Sequence, residues 1–101
     1  MQRTLGILIT SEQHGIHLEA IVRAAKRKRI KLHVHINGPA VLLCLRRSFQ
    51  SALHQTRMTI CRYSADRLGI KERLVALYPE SLTSSERPPV DSGQCTKRIV
   101  L

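Results

Sequence analysis

Ile30, Leu32, Val34 and Ile36 alternate with Lys31, His33, His35 and Asn37, the two-residue period of a β-strand. Just before them, Leu18, Ile21, Val22 and Ala25 fall at i, i+3, i+4 and i+7, while Glu19, Arg23, Lys26 and Arg27 take the opposite side. That is one apolar stripe of an amphipathic helix, which should end near Arg29 with its last cations against the negative end of the helix dipole. A helix running straight into a strand is half of a βαβ unit. The rest of the chain repeats the theme.

Residues 3–10 are rich in Ile and Leu and read as a buried strand, with Gly6 implying close approach by another element. Ser11 to His14 make a polar loop. Asn37-Gly38 is a turn, and Pro39 then suits the first turn of a helix whose stripe is Leu42, Leu45, Phe49, Ala52 and Leu53, opposite Arg46 and Arg47. Arg57 to Cys61 form a third strand, followed by a short helix to Leu68 that Gly69 terminates. Leu74, Val75 and Leu77 support a further helical turn before Pro79. Residues 80–95, with Ser, Thr, Glu and the pair Pro88-Pro89, read as an exposed loop, and Thr96 to Leu101 as a closing strand.

This alternating order predicts a single α/β domain over residues 1–101, a three-layer α/β/α sandwich with a mainly parallel sheet of about four to five strands. Because a parallel sheet normally has both faces covered, the polar side of the 31–37 strand places that strand at an edge or against another subunit. With three aromatic residues in 101, the core must be aliphatic. No apolar run approaches ~20 residues, so no membrane span is expected, and the N-terminal run is too short for an export signal. A cytoplasmic, reducing location follows as the default. The three cysteines are an odd count without close metal-type spacing, which predicts free thiols rather than a disulfide framework.

In parallel sheets, ligands gather beyond the carboxyl ends of the strands. Ser11, Asn37, Gly38 and Cys61 would share that end and form the rim of a site. Cys61 is the chemical group among them. At a strand-to-helix switch its thiol faces helix amides that favour the thiolate, the form that attacks sulfur. The bland alternative is a small buried hydrophobe. Cys44, beside the apolar stripe of the second helix, reads as core, and Cys95 as an incidental exposed thiol. His33 with His35, and His14 with His17, have spacings that zinc accepts, but the sequence places no third ligand type, and no metal or other cofactor is expected.

Three segments carry a resemblance. They are Leu5-Gly6-Ile7-Leu8-Ile9-Thr10-Ser11 followed by a helix; His33-Val34-His35-Ile36-Asn37-Gly38-Pro39-Ala40-Val41; and Cys61 with Arg67, Gly69 and Ile70 downstream. Lys97-Arg98-Ile99-Val100-Leu101 adds a closing strand. Together they resemble the DsrE/DsrF-like family of small sulfur-relay proteins, which includes the TusBCD components. The resemblance implies a homo-oligomer, trimer or hexamer, and a cysteine that accepts sulfur as a persulfide from a donor protein and passes it to an acceptor protein. Cys61 takes the carrier role, making the chain a sulfur carrier or sulfurtransferase. Arg67 matches the surrounding motif and, with the adjacent Arg62, could stabilise the anion.

A second class of function stays open. Seventeen Lys and Arg against seven Asp and Glu give a net charge of +10, much of it in Lys26-Arg27-Lys28-Arg29 with Lys31. Such a surface attracts polyanions. A non-catalytic basic α/β module binding nucleic acid or an acidic protein would use it. Few aromatics for base stacking and no recognised nucleic-acid motif point to nonspecific rather than specific nucleic-acid contact.

Overall fold

A computed structural model describes residues 4–54, 56–83 and 97–101. The strands are β1 (Thr4–Ile9), β2 (Lys31–Ile36), β3 (Arg57–Cys61), β4 (Leu82–Thr83) and β5 (Lys97–Val100). They form one sheet in the order β4-β3-β2-β1-β5, and every neighbouring pair is parallel. The helices are α1 (Gly15–Arg27), α2 (Arg47–Leu53), α3 (Arg62–Arg67) and α4 (Lys71–Leu77), with 3-10 segments at Glu12–His14 and Gly38–Leu45. The chain is thus an α/β sandwich on a parallel sheet, as the alternating apolar pattern predicts.

Side chains alternate between the faces of a strand, and the register divides the sheet sharply. Ile7, Val34 and Met58 lie abreast on one face, and Ile9, Ile36 and Ile60 abreast one level further on. This face joins Leu18, Val22 and Ala25 of α1, Phe49 and Leu53 of α2, Ala65 of α3 and Leu74 of α4 in one contiguous core. Phe49 supplies the sole aromatic ring of any described strand or helix in that core. Each large side chain withdrawn from water here contributes roughly 1.5–3 kcal/mol, and aliphatic residues do nearly all of it.

Strand β2 overturns the edge expectation. It lies between β1 and β3, at the centre of the sheet, and its polar side is buried: His33 is 5 % and His35 2 % exposed. Neutral imidazole can occupy such a position where a charged side chain cannot. His35 Nδ1 shares a hydrogen bond of 2.7 Å with Thr59 Oγ1 on β3.

The helix expected from Pro39 through Leu53 is broken in two. Residues 38–45 wind as a 3-10 helix, Arg46 is extended, and α2 begins at Arg47. Gly38–Leu45 is apolar on every side, and a three-residue period buries Ala40 with Leu43 and Val41 with Cys44. Leu42 and Leu45, expected in the stripe, are half-buried instead. The break leaves the Cys44 carbonyl without a helical partner. It accepts from the Tyr78 hydroxyl at 2.9 Å and from Gln50 Nε2 at 3.2 Å.

Within the segment read as a loop over 80–95, Leu82 and Thr83 form β4, pairing with Ile60 and Cys61; residues 84–95 lie outside the described ones. Leu82 packs against the core, which is what draws so short a segment onto the sheet edge.

Candidate functional site at the carboxyl end of the sheet

The carboxyl end of the sheet is knitted by backbone bonds. The Asn37 amide donates to the Ile9 carbonyl at 3.1 Å, the Ala40 amide to the Thr10 carbonyl at 3.3 Å, and the Thr10 amide to the Leu101 carbonyl at 2.9 Å. Gly38 turns the chain there with φ +59, a left-handed value that glycine tolerates and side chains avoid. A Cβ at this position would also stand 3.3 Å from the Thr10 carbonyl oxygen.

Cys61 is the last residue of β3 and the N-cap of α3. The residue is partly exposed, so it is neither sealed in the core nor fully open. It makes no capping hydrogen bond to the first turn of α3. Arg62 and Arg67 are both exposed, at the first and last positions of α3. Among the described residues, neither side chain is hydrogen-bonded or ion-paired to another group.

The rim residues are brought together in part. Ser11 lines an open groove of about 610 Å³ beyond β1 with Thr10, Gln13, Ile16 and Pro39, and a 3.1 Å ion pair between Arg46 and Glu12 bounds it. The Ser11 hydroxyl accepts from the Gln13 amide at 3.4 Å. Asn37 and Gly38 stand at the end of β2, between this groove and β3. Cys61 does not line the groove. Its link to the rim runs through α3: Ser64 Oγ accepts the Gly38 amide at 2.9 Å. Neither Ser64 nor the Glu12–Arg46 pair stood out in the sequence. A serine in the first turn of a short helix is a modest signal, and a pair separated by 34 positions leaves none.

The two described cysteines differ in kind. Cys44 is wholly buried, and that burial pushes its thiol up to about 12, which leaves it un-ionised and unreactive near neutral pH. On the polar face of β2, burial is the main cause of a lowered His33 pKa, with the Arg57 charge adding to it; His35 is brought down to about 4 by burial and by His33. His33 Nε2 is buried without a hydrogen-bond partner among the described residues. His14 and His17 are joined through their Nδ1 atoms at 3.1 Å on the surface. Among the described residues, no three of His, Cys, Asp and Glu cluster as a metal would require, and no helix is long and apolar enough to cross a membrane.

No protein-family model matches the chain, and neither a curated protein nor a solved structure does so.

Proposed function

We propose that this chain is a sulfur carrier of the DsrE/DsrF-like kind, holding sulfur as a persulfide on Cys61. One observation carries the reading: of the two described cysteines, the one that reaches solvent stands where a β-strand of a parallel sheet gives way to a helix, the end at which such sheets gather ligands. The sequence motif of Cys61, Arg67, Gly69 and Ile70 supports it independently.

In the proposed step, the Cys61 thiolate attacks the outer sulfur of a donor persulfide. A new S–S bond forms at Cys61, the donor's own S–S bond breaks, and the donor thiolate leaves. An acceptor thiolate then removes the outer sulfur and returns Cys61 to its starting state. No external oxidant or reductant is consumed, and rates follow thiolate fraction, leaving group and access. Arg62, adjacent to Cys61, and Arg67, at the other end of α3, are the cations that would favour the anionic forms. The reading includes a reducing, cytoplasmic setting, donor and acceptor proteins, and assembly as a trimer or hexamer.

Incubating reduced protein with a low-molecular-weight persulfide and weighing it intact tests the reading. Wild type, Cys44→Ala and Cys95→Ala gain one sulfur, and Cys61→Ala gains none. Uptake by Cys61→Ala equal to that of wild type sinks the proposal.

A further inference from the structure

The end of α1 is closed by two backbone bonds: the Ile30 amide donates to the Ala25 carbonyl at 2.9 Å and the Arg29 amide to the Lys26 carbonyl at 3.2 Å. This double closure requires a left-handed residue at position 29, and glycine is its usual occupant. Here it is arginine, at φ +55, the only described residue other than glycine with a positive φ. The backbone is held in an unfavourable conformation with a long cationic side chain attached.

That side chain lines a groove of about 280 Å³ between α1 and the start of β2. Lys26, Arg29 and Lys31 surround it, all three exposed, and Ala25, Ile30 and Leu32 supply its apolar floor. None of the three cations has an ion-pair partner among the described residues, where Arg46–Glu12 is the sole pair. The helix dipole accounts for Lys26, which lies in the last turn of α1. It does not account for Arg29 or Lys31, which lie past the helix. No aromatic side chain lines the groove, so stacked bases would find no platform. The exposed Tyr63 is on α3, at the other end of the sheet.

We propose that this groove docks an acidic peptide segment of a partner protein. Carboxylates meet Lys26, Arg29 and Lys31, and one aliphatic side chain lies against Ala25, Ile30 and Leu32. The site lies where β2 begins, whereas Cys61 ends β3. A docked partner therefore leaves the thiol uncovered, and the inference stands apart from the sulfur reading.

Fluorescence anisotropy tests it on the full chain with three labelled probes: a short glutamate-rich peptide containing one leucine, the same peptide with serine for leucine, and a single-stranded RNA of equal charge. The leucine peptide is expected to bind tightest, with affinity falling as salt rises. Arg29→Gly, which places the favoured residue in the left-handed position, should raise the melting temperature while weakening the peptide roughly fivefold. Lys26→Gln with Lys31→Gln should weaken it further, and Cys61→Ala should leave binding unchanged. RNA or the serine peptide binding as tightly as the leucine peptide overturns the proposal, as does full affinity in the stabilised Arg29→Gly protein.

Discussion

The Gly38 amide donates to the Ser64 hydroxyl at 2.9 Å, and that bond ties the carboxyl end of the central strand to the helix following Cys61. Ser64→Ala removes the acceptor and leaves a half-buried N–H to find water. We expect a loss of about 1–2 kcal/mol in urea unfolding, with faster alkylation of Cys61 as α3 loosens. Unchanged stability and labelling together would mean that the bond does not hold α3.

Reactivity should separate the cysteines. With iodoacetamide at mildly alkaline pH and native conditions, Cys61 is modified while Cys44 is protected until the protein unfolds, since burial suppresses both access and ionisation there. Peptide mapping of the alkylated protein reads the outcome. Labelling of native Cys44 at a rate comparable to Cys61 would contradict the packing around the 3-10 segment.

The histidines set the response to acid. His35 titrates near 4 in the folded chain against an ordinary value near 6.5, and His33 is lowered in the same sense. Between those values the unfolded chain binds protons that the folded one refuses. Stability is therefore full above about pH 6.5 and drains away as pH falls toward 4. His35 alone accounts for up to roughly 3 kcal/mol, less whatever solvent screening returns. Unfolding free energy measured across that range should slope steeply in wild type and more gently in His35→Gln. Equal slopes would show that His35 is not the group responsible.

Gly69 tests the stop after α3. It has φ +72, yet a Cβ there would meet nothing within 4 Å. Gly69→Ala thus isolates backbone strain from crowding, and a loss of about 1 kcal/mol is expected in thermal or chemical unfolding. A loss near zero would indicate that the turn relaxes to accept the side chain.

Much of the fold was legible because periodicity is local. The α1 stripe of Leu18, Val22 and Ala25, the third strand from Arg57 to Cys61 and the stop at Gly69 all follow from spacing within a few residues. What escaped depends on partners far along the chain. The alternation of Leu32, Val34 and Ile36 with histidines looked like an edge strand, because nothing local tells that Thr59 meets His35 or that β1 and β3 flank the strand. The break at Arg46 was hidden for a similar reason: the carbonyl it frees at Cys44 is satisfied by Tyr78, 34 positions away. At the candidate site, the switch at Cys61 could be placed from sequence, while its connection to Gly38 through Ser64 could not.

Strand β1 is flanked by β2 on one side and β5 on the other, so its second neighbour arrives only with residues 97–100. The Leu101 amide donates to the Leu8 carbonyl at 2.7 Å, closing a span of more than ninety residues. On the ribosome, β1 emerges well before the β5 it pairs with, its outer edge open to other nascent chains in the interval. Pairings this distant fold slowly, and translation speed between β1 and β5 should govern how much of the protein escapes aggregation.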